Sequence, residues 1–184
     1  MTTSTNKHLG GHANITHIDT GALLYFKESI KLSTMLDIGC GPGGMLKEAS
    51  NHNIFAEGID GLPGPHRHSD VNIFIHDFCN GPFNHKMKYD LGWSCEFLEH
   101  VEEKYIPNYM PSFQSCAYIA ITYAPKGKGG HHHVNCKDFG YWVETFNKYN
   151  FDLLEDMTKN LRTSSSMTRN FVRSTGLMFK NKEM

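Results

Sequence analysis

The order of apolar and polar positions predicts strands alternating with helices along most of the chain. Leu23, Phe26 and Ile30 recur at helical spacing behind Asp19 or Thr20, either of which can cap, so residues 20–31 read as an amphipathic lead-in helix. Thr34 to Ile38 is a short apolar run that passes directly into Gly39-Cys40-Gly41-Pro42-Gly43-Gly44 and then into helix-forming residues 45–50. That succession is strand, tight turn, helix. Further strands are expected at 54–59, ending in Asp60, and at 71–75, 89–94 and 116–122. Residues 96–106 look helical, with Pro107 and Pro111 breaking whatever helix follows. Phe139, Trp142, Val143 and Phe146 share one face of a helix expected at 138–149, and the tail offers strands near 151–154 and 175–179. Such alternation implies an α/β fold, a single doubly wound domain over residues 1–184 whose mostly parallel sheet is covered on both faces, with residues 1–33 as a lead-in or lid segment.

A chain of 184 residues suits one core and is short for two. No apolar run approaches the roughly eighteen residues of a spanning helix, and the N-terminus lacks the apolar stretch of a secretory signal, so a cytoplasmic protein without membrane association is expected. Cys40, Cys79, Cys95, Cys116 and Cys136 are odd in number and never form a C-x-x-C pair, which argues for reduced thiols over a disulfide framework. Formal charge is −1, leaving no global basic field for a phosphate backbone; a nucleic-acid acceptor stays open only through a local patch.

In an open parallel sheet, ligands bind beyond the carboxyl ends of the strands where the strand order reverses, and the candidate chemistry falls there. Gly39, Gly41 and Gly44 also fit the G-x-G-x-x-G dinucleotide pattern, and Asp60 could hold ribose hydroxyls with either kind of ligand. Asp37, just ahead of the glycines, favours a cationic ligand and would repel a pyrophosphate. His76-Asp77-Phe78 brings an acceptor and an aromatic ring to the third strand end, suited to an adenine amino group and its face.

Leu36-Asp37-Ile38-Gly39-Cys40-Gly41-Pro42-Gly43-Gly44 resembles motif I of the class I S-adenosylmethionine-dependent methyltransferases, and Tyr89 to His100 resembles the fourth motif of that family. The resemblance covers residues 34–125. It implies a Rossmann-like, seven-stranded sheet with an antiparallel last strand, S-adenosylmethionine as cofactor, and Asp37, Gly39, Cys40, Gly41, Asp60, Gly61, Asp77, Phe78 and Ser94 as its contacts. The segment Gly10 to Gly21 has no assignable counterpart and reads as a lid or substrate element.

Methyl transfer needs alignment and, for a hydroxyl acceptor, a base; His100, His132 and His133 are the candidates, with His131 beside them. Three consecutive histidines are expected to point in different directions, leaving one useful. Glu96, Glu99 and His100 form E-x-x-E-H, which on a helix would bring them near one face as ligands for Mg²⁺, Mn²⁺ or Zn²⁺. This resembles the metal site of small-RNA 2′-O-methyltransferases. The other reading is that Glu96 only caps a helix and His100 only fills a core position. The expected activity is methyl transfer to oxygen or nitrogen of a small-molecule or sugar-like acceptor. A metal-assisted RNA 2′-O-methyltransferase and a non-catalytic S-adenosylmethionine-binding partner module remain open, and a nicotinamide-dependent oxidoreductase has only the glycines and Asp60 in its favour.

Overall fold

In the computed structural model, residues 8–9, 14–64 and 67–184 are described. Seven strands form one sheet: β1 Thr34–Ile38, β2 Phe55–Asp60, β3 Asn72–Ile75, β4 Tyr89–Ser94, β5 Cys116–Ile121, β6 Phe151–Leu153 and β7 Leu177–Asn181. Their order is β3-β2-β1-β4-β5-β7-β6. The first five run parallel, and β7 lies antiparallel between β5 and β6. This is the Rossmann-like arrangement, with the antiparallel last strand where it was expected.

Alternation along β1 splits its side chains between two cores. Leu36 and Ile38 join one cluster with Tyr109, Phe113, Trp142 and Phe146 from helices α3 Ile106–Gln114 and α4 Phe139–Lys148. Met35 joins the other with Leu23, Phe26, Met45 and Leu161 from α1 Thr20–Ser29, α2 Gly44–Asn51 and α5 Glu155–Ser164. Fully burying side chains of this size contributes about 1.5–3 kcal/mol each, which is why β1 is nearly all apolar. Asp37 is the exception among its buried residues. It sits in register between Gly58 of β2 and Trp93 of β4.

Several sequence expectations need correction. The lead-in helix is capped by Asp19, which accepts from Ala22 N–H at 3.0 Å, but it ends at Ser29. Residues 96–106 are not one helix: Glu96 adopts a left-handed φ of 55°, and 3₁₀ turns follow at Leu98–His100 and Glu103–Tyr105. The prolines do not break α3. Pro107 falls in its first turn, where an N–H has no helical partner, and Pro111 is carried inside the helix by the complete burial of Tyr109, Met110 and Phe113. Phe139 is exposed rather than packed with Trp142 and Phe146. Helices α5 and α6, the latter Phe171–Thr175, were not foreseen, and β7 starts two residues later than the run 175–179 suggests. Thr158 and Leu161 alone are buried in α5, too sparse a stripe to show in the sequence.

Candidate active site

Beyond the carboxyl ends of the parallel strands, where the order turns between β1 and β4, lies a cavity of about 770 Å³. Its position follows from the loops that leave these strands. After β1 the backbone turns through Gly39 at φ 81° and Gly41 at φ 53°, a region that glycine enters without strain. A Cβ on Gly39 would lie 2.6 Å from Cδ2 of Phe97, so the loop after β4 rests directly on this turn. Gly39 and Cys40 N–H both donate to Ile59 O, at 2.9 and 3.1 Å, fastening the turn to β2.

Asp60 Oδ2 accepts from Gly41 N–H at 2.9 Å, Oδ1 accepts from Leu62 N–H at 2.9 Å, and Arg67 stands 3.5 Å away. The carboxylate thus ties the first two strand-end loops together. Asp77 Oδ1 accepts from Cys79 N–H at 2.9 Å, while Oδ2 meets His8 Nε2 at 2.8 Å. Burial alone would raise the Asp77 carboxyl, but the bonds from Cys79 and His8 outweigh it and hold it below the usual value. Asp37 is different. Burial, then the negative charge of Asp60, pushes its carboxyl well above the ordinary range, and no ion pair relieves it among the described residues.

Asp37, Gly39, Cys40, Gly41, Asp60, Gly61, Asp77 and Phe78 all line the cavity. Ser94 does not: its hydroxyl donates to Ile38 O at 2.8 Å and fastens β4 to β1 from behind. His100, His132 and His133 also line it, as do Glu96 and His131. The left-handed φ of His132, 47°, kinks the loop so that all three consecutive histidines border the cavity, against the expectation from the sequence.

Glu96 leaves the strand through its own left-handed turn, with its N–H held by Thr122 Oγ1 at 2.8 Å. Glu99 is fully buried behind it, its carboxyl facing that of Glu96 and otherwise without a partner; His100 Nδ1 is also unpartnered. Burial and the neighbouring Glu96 push Glu99 up to about 8, and burial with the charge of His133 brings His100 down to about 4. Ligand atoms of Glu99, His100 and His133 lie within 4.8 Å of one another. The His133 ring is fixed by Nδ1, 3.0 Å from Lys128 O. Buried oxygens and imidazole nitrogens left without partners are the donor set of a divalent cation, so these residues fit one. Glu96 is not part of that close trio, because its turn removes it from the helical register that the E-x-x-E-H spacing suggested.

Several wall residues were not singled out individually by the sequence reading. His8, Leu9, Ile15, Thr16 and His17 approach from the N-terminal segment, and Thr16 Oγ1 accepts from Gly44 N–H at 3.1 Å at the start of α2. Arg169 and Phe171 approach from the unforeseen α5–α6 region. Only the lack of any counterpart for residues 10–21 hinted that the N-terminal segment serves the site.

No family model matches the chain, and no curated protein matches it in sequence. Solved structures do match in fold. A TehB-like S-adenosylmethionine-dependent methyltransferase from Corynebacterium glutamicum superimposes with a TM-score of 0.60 at 16% identity, over 88% of each chain. The Burkholderia thailandensis 1,6-didemethyltoxoflavin-N1-methyltransferase, solved with its acceptor and S-adenosylhomocysteine, gives 0.61 at 11% identity over 87% of this chain and 76% of that one. A Haemonchus contortus phosphoethanolamine N-methyltransferase, solved with phosphomonomethylethanolamine and S-adenosylhomocysteine, gives 0.55 at 17% identity over 78% of this chain; the match spans only 41% of the Haemonchus chain. The chain has the fold of the class I S-adenosylmethionine-dependent methyltransferases. Among the described residues, no helix is long and apolar enough to cross a membrane.

Proposed function

We propose that this chain transfers a methyl group from S-adenosylmethionine to an oxygen or nitrogen atom of a small-molecule or sugar-like acceptor. The observation that carries the reading is Asp37, a carboxylate 3% exposed at the cavity floor, raised by burial and by Asp60, with no protein cation paired to it. A buried charge of this kind calls for a cationic ligand, which an amino-acid ammonium supplies and a pyrophosphate does not. Asp60 and Gly61 then serve the ribose, Asp77 and Phe78 the adenine, and Gly39, Cys40 and Gly41 the close backbone approach, with Ser94 bracing β4. The described parts of the N-terminal segment cover the cofactor as a lid. The small molecules bound in the Burkholderia and Haemonchus enzymes support the acceptor class.

When bound, the sulfonium supplies an electrophilic methyl group for in-line displacement. The chain's part is to align the acceptor and hold its proton. His100, neutral through burial, has a free Nδ1 to receive a proton from a hydroxyl or ammonium acceptor. Should Glu99, His100 and His133, with Glu96 on the cavity side of Glu99, hold Mg²⁺, Mn²⁺ or Zn²⁺, the cation would polarise an acceptor hydroxyl, and His132 would be the remaining base. That arrangement favours an oxygen acceptor, and a sugar hydroxyl of RNA is its nucleic-acid form.

Calorimetric titration of metal-stripped protein with S-adenosylmethionine and S-adenosylhomocysteine tests the core of this reading, and binding of neither overturns it. Repeating the titration with each cation on wild type and Glu99→Gln tests the metal: a binding heat lost in the variant supports the trio, and an unchanged heat excludes it. Cofactor binding without turnover on small-molecule, sugar and RNA acceptors favours a partner module.

A further inference from the structure

The acidic cavity has one wall of opposite charge that the proposed cofactor and metal roles leave unused. Arg169 lines the cavity from the loop between α5 and α6, with its guanidinium 5.6 Å from the centroid of the Phe171 ring. It pairs with no carboxylate among the described residues. His17 meets the same ring edge-on at 5.0 Å, and burial and the Arg169 charge both lower its affinity for a proton.

The loop that presents Arg169 is anchored at several points. Arg173 donates through Nη1 to Met167 O at 2.6 Å and Ser165 O at 3.4 Å, and through Nη2 to Arg169 O at 3.3 Å. From the other side, Asp19 accepts from Ser166 N–H at 2.9 Å and Ser165 Oγ at 2.5 Å. Arg173 and Asp19 are positioning residues. They fix the backbone that presents an exposed arginine, whose guanidinium lies over the Phe171 ring with no carboxylate partner among the described residues.

We infer that Arg169, backed by Phe171, is an acceptor subsite for an oxyanion, so that the acceptor is a small phosphorylated or carboxylated compound bound with its anionic group at the mouth. The guanidinium fork matches either oxyanion through two parallel hydrogen bonds. Asp37, Asp60 and Glu96 repel an anion from the interior, so only the mouth accepts it and the neutral end of the acceptor is directed inward.

This inference rests on the methyltransferase reading for the word acceptor, but not for the anion site itself. The test is a ³¹P NMR titration with inorganic phosphate at fixed ionic strength, on wild type, Arg169→Gln and Arg169→Lys, each with and without S-adenosylhomocysteine. Arg169 is exposed and outside both cores, so the variants are expected to fold. Phosphate should bind wild type and lose roughly tenfold or more in Arg169→Gln, about 1.4 kcal/mol, with Arg169→Lys between them and S-adenosylhomocysteine affinity the same in all three. Equal phosphate binding in wild type and Arg169→Gln, or none in wild type, overturns the subsite. Failure of S-adenosylhomocysteine to bind overturns the methyltransferase reading instead, and the phosphate arm without it still decides the anion site.

Discussion

His8 Nε2 lies 2.8 Å from Asp77 Oδ2, so the N-terminal segment already holds the carboxylate proposed to receive an adenine amino group. Cofactor binding and this pair therefore compete for one oxygen. Both side chains keep some exposure, 26% for His8 and 19% for Asp77, which limits the pair to about 1 kcal/mol or less. His8→Ala should tighten S-adenosylhomocysteine binding by about three- to fivefold at pH 7 in calorimetry. Weaker binding would mean that His8 belongs to the bound state and does not compete. The lowered Asp77 carboxyl gives stability that is present above its unfolded value near 3.9 and lost as pH falls through the folded one, so a comparison at pH 7 is free of that loss.

Asp37 makes the opposite demand. Its carboxyl is raised by burial and by Asp60, so its favourable contribution to folding is fully present below the unfolded value near 3.9 and is lost as pH rises through the folded one. Asp37→Asn removes a buried charge without changing its shape. The ligand-free variant should melt higher than wild type at pH 8, while its affinity for S-adenosylmethionine falls by roughly tenfold or more. Differential scanning calorimetry and titration read the two effects separately. A variant less stable than wild type that keeps full affinity would remove Asp37 from the cofactor site.

These two aspartates also show how far the sequence could be read. Asp37 lies near the end of β1, Asp60 ends β2 and Asp77 follows β3, so apolar runs and glycine turns were enough to bring them to one edge. His8 and Arg169 were not legible in that way. They reach the cavity from segments whose paths are set by scattered polar contacts, such as Thr16 to Gly44 and Asp19 to Ser165 and Ser166, and such contacts leave no periodicity. Glu96 failed for a related reason: its left-handed turn depends on Thr122, 26 positions away, while the local sequence favours a helix.

His85 carries a pH prediction remote from the cavity. Both of its ring nitrogens are buried without partners. Burial lowers it to about 4, with Lys88 adding to the shift and Glu57, which accepts the Tyr89 hydroxyl at 2.5 Å, opposing it. The unfolded chain has the higher affinity for this proton, with a pKa near 6.5, so the contribution of His85 to stability is lost as pH falls from about 6.5 towards 4. His85→Phe should leave the melting temperature at pH 8 close to wild type and flatten its decline between pH 6.5 and 4.5. A decline of the same steepness in the variant would show that His85 takes up its proton equally in the folded and unfolded chains.

Gly130 packs against the His133 ring of the proposed metal trio. A Cβ added there would collide with the His133 ring at Nε2, Cε1 and Cδ2, a ring the rest of the loop holds through Nδ1, 3.0 Å from Lys128 O and 3.7 Å from Cys136 Sγ. The backbone of Gly130 has no positive φ, so alanine is tolerated locally and the strain falls on His133. Gly130→Ala should therefore weaken Mn²⁺ binding by about tenfold, the scale on which displaced or unsupported ligands act, without changing S-adenosylhomocysteine affinity, because the glycine turn, Asp60 and Asp77 lie on other loops. Electron paramagnetic resonance of free Mn²⁺ measures the first quantity and calorimetry the second. Equal Mn²⁺ binding in both proteins would take His133 out of the metal site and leave Glu99 and His100 too few to hold a cation by themselves.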